Sequence, residues 1–102
     1  MKISQYHLSF IGFGHMAQIL FQAIHRARLI PRSQIYFVQR DRDKIKRNEE
    51  TYHITATSLE HATVSSDVLF LCVRPKQAPG VLAEIARHGA AGKKVIPILA
   101  GV

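Results

Sequence analysis

A short glycine-containing segment carries the clearest chemical signal in the sequence. Residues 12–17 are Gly12-Phe13-Gly14-His15-Met16-Ala17, which fits the pattern G-x-G-x-x-A. In this pattern the first glycine permits a tight turn out of a strand, the second lets the backbone approach a pyrophosphate, and the alanine lets the following helix pack closely. The helix N-terminus presents free N–H groups and a partial positive charge to phosphates. The segment predicts a dinucleotide-phosphate loop; the alternative is a tight turn that binds nothing.

The tip of the next predicted strand indicates which dinucleotide the loop accepts. NAD-binding domains place Asp or Glu there, about 20 residues after the loop, to hold the ribose hydroxyls. Here the tip carries Gln39 and Arg40. An arginine grips a 2′-phosphate with paired hydrogen bonds, whereas a carboxylate repels it. We therefore expect NADP(H) in preference to NAD(H), with Arg40 on the 2′-phosphate and Arg42 or Lys44 in support. Asp41 either caps the following helix or points into the site.

Hydrophobic patterning predicts the scaffold that positions these residues. Strands are expected at 8–11, 35–38, 53–56, 68–73 and 95–99, and helices at 15–28, 41–50, 58–63 and 81–87. The first helix is expected to bury one apolar face, formed by Met16, Ile19, Leu20, Ala23, Ile24 and Ala27. Strands that alternate with helices predict an α/β fold: a doubly wound parallel sheet of Rossmann type, in a single domain, with about five strands and helices on both faces.

Length and composition limit the class of protein. The chain has 102 residues, of which 47% are hydrophobic and 21% charged, as expected for one globular domain. Its apolar runs are shorter than the roughly 20 residues of a membrane span, so no membrane partner is expected. The single cysteine, Cys72, is expected to be a small buried hydrophobe, and a cytoplasmic location is expected. The six histidines lack metal-ligand spacing, so no metal site is expected.

The chain carries a net charge of +7, and five of its fourteen cations lie between Arg40 and Arg47. Such a cluster attracts phosphate groups, acidic partners or nucleic acid; the alternative is a solvated helix face. Nucleic-acid binding is the least favoured of these, because no aromatic residues are interleaved with the cations and no nucleic-acid motif is present.

The segments together resemble the N-terminal domain of the pyrroline-5-carboxylate reductase family over nearly all 102 residues. The resemblance is carried by Phe10-Ile11-Gly12-Phe13-Gly14-His15-Met16-Ala17, Leu29-Ile30-Pro31 with Gln34-Ile35, Gln39-Arg40, Val73-Arg74-Pro75-Lys76 and Ala100-Gly101-Val102. It implies an NADP-type cofactor along residues 12–17 with Arg40 on its 2′-phosphate. It also implies that residues 73–76 lie beside the nicotinamide ribose, and that Ala100 and Gly101 approach the nicotinamide and the substrate.

Departures from the family pattern lie mainly toward the nicotinamide end. His15 stands where the family usually has Asn, residues 73–76 replace a common V-K-P-Q, and Pro97 and Leu99 replace Ser and Ala. The helical C-terminal domain that forms the family's dimer and most of its pyrroline site is absent from the 102 residues. Residues 1–102 are thus expected to be the dinucleotide-binding domain alone.

Two functions follow from the resemblance. The first is the NADP(H)-binding domain of a pyrroline-5-carboxylate reductase-like oxidoreductase, which in the complete enzyme transfers hydride to a cyclic imine in proline biosynthesis. No residue of this chain is assigned a catalytic role. The second is a non-catalytic module that binds cofactor or docks a partner, with a further domain or second chain on the last strand.

Overall fold

The computed structural model describes residues 2–98. The strands are β1 (Leu8–Ile11), β2 (Ile35–Val38), β3 (Thr55–Ala56), β4 (Val68–Leu71) and β5 (Lys94–Pro97). The α-helices are α1 (His15–Arg26), α2 (Arg42–Tyr52), α3 (Leu59–Ser65) and α4 (Ala78–Arg87), and short 3₁₀ helices span Ile3–Gln5 and Arg32–Gln34. The predicted elements are all present, and their bounds differ from the predicted ones by a few residues at most. The predictions for Leu99, Ala100 and Gly101 lie outside the described residues.

The strands form one sheet in the order β3-β2-β1-β4-β5, and every neighbouring pair is parallel. The chain first builds outward from β1 to β3 and then crosses back to β4 on the other side of β1. Strand order therefore reverses between β1 and β4, and in open α/β sheets ligands bind at the carboxyl ends of the strands at this position. Gly12 follows β1 and Cys72 follows β4, so both segments lie at the crevice that forms between the carboxyl ends of these two strands.

Two apolar clusters cover the two faces of the sheet. One joins Phe10 of β1 and Phe37 of β2 to Ala17 and Phe21 of α1, and the other joins Leu69 and Leu71 of β4 to Ala62 of α3 and Ile85 of α4. Helices α1 and α2 thus lie on one face and α3 and α4 on the other, because right-handed crossovers switch face when the chain reverses direction. This confirms the doubly wound, Rossmann-type fold predicted from the sequence.

The buried stripe of α1 is narrower than predicted and rotated from the predicted one. Ala17, Phe21 and Ile24 are buried, whereas Met16 and Ile19 remain 42% and 49% exposed. The prediction of Met16, Ile19, Ala23 and Ala27 as buried positions was wrong, because only one side of α1 meets the sheet and the apolar residues span a much wider arc. Ala17 sets the rotation, since it lies directly after the glycine turn and packs with no exposed surface.

Strand β5 forms one edge of the described sheet, and this accommodates Pro97. The N–H groups of Lys94 and Ile98 donate to Asp67 and Leu71 on the β4 side, at 3.0 and 2.8 Å. Alternate residues of a strand direct their N–H groups to opposite edges, so the ring nitrogen of Pro97 faces the open edge, where no ladder bond is lost.

Candidate functional site

The turn after β1 requires a glycine at its first position. Gly12 has φ of +86°, a left-handed conformation that L side chains rarely adopt, and its N–H donates to the Val38 carbonyl at 2.8 Å. A Cβ at Gly12 would overlap the carbonyl oxygen of Cys72 and would lie 3.3 Å from Cγ1 of Val73. The glycine therefore allows the ends of β1 and β4 to approach each other at the mouth of the crevice.

Packing within the protein does not require a glycine at position 14, because a Cβ there would have no atom within 4 Å. Gly14 is the N-cap of α1, has an extended backbone and accepts the first intrahelical bond from Gln18 N–H. The N–H groups of His15, Met16 and Ala17 therefore precede the first donor of the helix ladder and lie at the positive end of its dipole. Internal packing does not explain the glycine, whereas the close approach of a phosphate does, so the loop fits the pyrophosphate of a dinucleotide.

The side chain of Phe13 lies in the core even though its backbone lines the crevice. Phe13 is 1% exposed and packs against Phe37 and Tyr52, with ring centroids 5.0 and 5.5 Å apart. The side chain of Phe13 is therefore not available to a ligand. His15 and Met16, by contrast, are exposed at the start of α1 and are among the residues that line the crevice.

The cations that cluster between Arg40 and Arg47 differ in whether they line the crevice. Arg40 and Lys44 are exposed and line the crevice, whereas Arg42 is not among its lining residues. The Asp41 carboxylate accepts hydrogen bonds from the N–H groups of Asp43 and Lys44, at 2.9 and 3.2 Å, which makes it the N-cap of α2. Of the two roles left open for Asp41, the structure shows capping, and Asp41 also lies among the residues that line the crevice.

Gln39 uses both ends of its amide within the protein. Its Nε2 donates to the Phe13 carbonyl at 3.4 Å, and its Oε1 accepts from Nδ2 of Asn48 at 2.9 Å. Asn48 is buried on α2 and was not predicted from the sequence, where a polar residue in a highly charged helix gives no sign of a specific partner. Gln39 thus lines the crevice while it also holds the glycine loop.

The segment after β4 forms the opposite wall. Val73, Arg74 and Lys76 line the crevice, whereas Pro75 does not. Helix α4 begins at Ala78, three residues before its predicted start. Its N-cap Gln77 and its residues Gly80, Val81 and Glu84 also line this wall. Pro79 in the first turn was the signal for the earlier start, because proline is favoured at the first positions of helices.

These walls enclose an open crevice of about 730 Å³ at the reversal point of the sheet. Its cationic side chains, Arg40, Lys44, Arg74 and Lys76, outnumber its carboxylates, Asp41 and Glu84, so it suits an anion. Cys72 lies in its floor, and burial raises the pKa of this thiol to about 11, which keeps it protonated at neutral pH. Cys72 is half-buried and packs against the core, close to its predicted role.

Two other features of the described chain bear on the site. Residues 2–98 contain no group of three or more His, Cys, Asp and Glu side chains placed to hold a metal ion. Within the same range, every helix is too short or too polar to cross a membrane.

Comparison with known proteins places the chain among oxidoreductases. Residues 7–101 match the family described as NADP oxidoreductase coenzyme F420-dependent. Pyrroline-5-carboxylate reductase 1 of Bacillus spizizenii is 29% identical over 100 residues, which cover 96% of this chain and 34% of that protein. The chain therefore spans about a third of the length of this curated relative.

Solved structures support the same fold. The chain superposes on pyrroline-5-carboxylate reductase of Coxiella burnetii with a TM-score of 0.83 at 24% identity, which covers 94% of this chain and 36% of that one. The pyrroline carboxylate reductase of Plasmodium falciparum, solved with NADP bound, gives a TM-score of 0.81 at 21% identity, with 95% and 34% coverage. At these identities the structures establish the fold, and together with the sequence match they confirm the family resemblance predicted from the sequence.

Proposed function

The chain belongs to the family described as NADP oxidoreductase coenzyme F420-dependent, and on that premise we propose that it is the NADP(H)-binding domain of a pyrroline-5-carboxylate reductase-like oxidoreductase. The observation that carries the proposal is the meeting of two features in one crevice. The N-terminus of α1, preceded by the glycine turn, and the Arg40–Lys44 pair both line it. The first suits a pyrophosphate and the second a further phosphate at the far end of the same ligand.

The phosphate at the tip of β2 distinguishes NADP(H) from NAD(H). Arg40 and Lys44 supply positive charge there, and Gln39 occupies the position where a carboxylate would bind the ribose hydroxyls of NAD. Asp41, the acid that lines the crevice beside Arg40, already accepts two backbone hydrogen bonds. We propose Arg40 as the principal 2′-phosphate contact, with Lys44 rather than Arg42 in support.

The nicotinamide end of the ligand is proposed to lie along the β4 wall. Residues Val73, Arg74 and Lys76 would flank its ribose, and Ala100 and Gly101, beyond the described residues, would approach the ring. NADPH supplies a hydride when bound, and in the complete enzyme we propose that a cyclic imine receives it during proline biosynthesis. Because the chain matches only about a third of its curated relative, we expect residues elsewhere to form most of the imine site, and we expect no turnover of pyrroline-5-carboxylate by these 102 residues.

Titration calorimetry with NADPH and with NADH tests the cofactor assignment. Arg40→Ala should weaken NADPH binding about ten- to a hundredfold, the worth of one lost charged hydrogen-bonding pair, and should leave NADH binding unchanged. Arg42→Ala is the matched control, because it removes an equal charge two residues away from a side chain outside the crevice. Equal losses in the two variants would show that only net charge matters, and equal affinity of the unaltered chain for the two dinucleotides would contradict the NADP assignment.

A docking module is the second candidate, and the exposed face beside α1 favours it. Phe70 of β4 and Ile96 of β5 are register partners on one face of the sheet, and Ile96 is 39% exposed. We propose that the helical substrate domain implied by the family resemblance covers this apolar face. With such a domain supplied as a separate polypeptide, Ile96→Ser should weaken association measured by sedimentation, while NADPH binding by the chain alone should stay unchanged. Association that is indifferent to Ile96→Ser would argue against docking here.

A further inference from the structure

The carbonyl oxygen of the peptide between Phe13 and Gly14 accepts hydrogen bonds from two side-chain amides. Nε2 of Gln18 donates to the Phe13 carbonyl oxygen at 3.3 Å, and Nε2 of Gln39 donates to the same oxygen at 3.4 Å. Gln18 comes from α1 and Gln39 from the tip of β2, so the two donors reach the carbonyl from different elements. Each bond is long, but a carbonyl oxygen has two lone pairs and both are used.

Helix α2 orients both amides. Nδ2 of Asn48 donates to Oε1 of Gln39 at 2.9 Å, and the Tyr52 hydroxyl donates to Oε1 of Gln18 at 3.2 Å. Asn48 and Tyr52 are four residues apart and therefore share one side of α2. With each Oε1 occupied by a donor, each Nε2 is left to face Phe13; a flipped amide would set its oxygen against the carbonyl oxygen. Neither Asn48 nor Tyr52 lines the crevice.

The direction of the Phe13 carbonyl decides the direction of the next N–H. A trans peptide is planar, so its C=O and N–H point in opposite directions, and residues 2–98 contain no cis peptide bond. With its carbonyl oxygen held by Gln18 of α1 and Gln39 at the tip of β2, the peptide turns the N–H of Gly14 to its opposite side, toward the crevice that Gly14 lines. A peptide rotated by half a turn would instead present a carbonyl oxygen, which repels phosphate.

We infer that Gln18 and Gln39, oriented by Tyr52 and Asn48, are positioning residues that fix the glycine loop in its phosphate-binding orientation. The inference rests on the proposed function, because it assigns these residues to the pyrophosphate contact. Here α2 serves both ends of the ligand: its first turn carries Lys44, and its later turns orient the loop that receives the pyrophosphate. Since NADPH and NADH share the pyrophosphate, loss of this clamp should weaken both dinucleotides by the same factor.

Tyr52→Phe is the mildest test, because it removes only the hydroxyl and keeps the ring packed against Phe13 and Phe21. Asn48→Leu is the second variant, with the same number of side-chain heavy atoms, the same branching at Cγ and no donor. Tyr36→Phe is the matched control, since Tyr36 lies on β2 in register with Ser9, on the sheet face that α3 and α4 cover. We expect Tyr52→Phe and Asn48→Leu each to weaken NADPH and NADH binding about three- to tenfold, the worth of one hydrogen bond, with the control unchanged.

The amide resonance of Gly14 in the ligand-free chain, followed by ¹⁵N NMR, gives a readout independent of binding. Both variants should shift this resonance and speed its hydrogen exchange, whereas Tyr36→Phe should not. Unchanged Gly14 resonances, or a loss of affinity confined to NADPH, would overturn the clamp. If the unaltered chain binds neither dinucleotide, the proposed function fails, while the Gly14 resonance still decides whether the side chains orient the peptide.

Discussion

Alanine should have different effects at the two glycines of the loop: Gly12→Ala should lower stability, and Gly14→Ala should weaken dinucleotide binding. Gly12→Ala places a methyl group against the Cys72 carbonyl and 3.3 Å from Cγ1 of Val73, at a φ of +86°. The left-handed conformation costs an alanine about 1–2 kcal/mol, and displacing packed atoms at the ends of β1 and β4 adds about 1–3 kcal/mol. The sum of about 2–5 kcal/mol is a large part of the typical stability of a domain, about 5–15 kcal/mol.

Gly14→Ala should leave the fold nearly unchanged. Its φ of −84° and ψ of −160° are accessible to alanine, and the new methyl group meets no atom within 4 Å. The change in the free energy of unfolding should stay within about 1 kcal/mol, because reduced unfolded-state entropy offsets a poorer N-cap. The methyl group would lie where a pyrophosphate approaches, so we expect NADPH affinity to fall about ten- to a hundredfold through weakened charged hydrogen bonds.

Thermal unfolding by circular dichroism and NADPH titration separate the two cases. Gly12→Ala should lower Tm by at least about 8 °C, from about 4–8 °C per kcal/mol for a domain of this size. Gly14→Ala should hold Tm and lose binding. A Tm for Gly12→Ala equal to that of the unaltered chain would refute the close approach of β1 and β4. Full NADPH affinity in Gly14→Ala would show that no phosphate reaches this part of the loop.

Three smaller predictions concern single groups. Burial raises the Cys72 pKa from 9.0 to about 11, so iodoacetamide should alkylate the folded chain at pH 8 about a hundredfold more slowly than a free thiol of ordinary pKa. The contribution of the neutral thiol to the free energy of unfolding, fully present below pH 9.0, should be lost as pH rises through about 11. Asp41→Ala should cost about 0.5–2 kcal/mol of unfolding free energy by removing the α2 cap, and Asp43→Ala, which removes no cap, should cost less. The Ser9 and Ser66 hydroxyls pair at 2.5 Å with no exposed surface, so either alanine variant should cost about 1–3 kcal/mol in chemical denaturation. Additive losses in the double variant would contradict the pairing.

Several parts of the fold follow from short-range sequence patterns. The strand over 35–38, the glycine turn and the Asp41 cap were predicted because each depends on residues within one turn or one strand. The family resemblance was also carried by short segments in order along the chain. The start of α4 differed most from its predicted position, by three residues, because the apolar pattern that begins at Val81 is a stronger signal than the single proline, Pro79, in the first turn.

The candidate site likewise combines features that depend on single residues with features that depend on tertiary packing. Sequence by itself determined the glycine turn after β1 and the cationic tip of β2, since dihedral freedom at Gly12 and charge at Arg40 are properties of single residues. Tertiary structure decided that Arg40 and Lys44, but not Arg42, line the crevice. It also decided that Gln39 holds a carbonyl 26 residues away, and that Met16 stays exposed. These outcomes depend on how β2, α1 and α2 pack around one sheet, and contacts between distant segments exist only after the strand order β3-β2-β1-β4-β5 has brought those segments together.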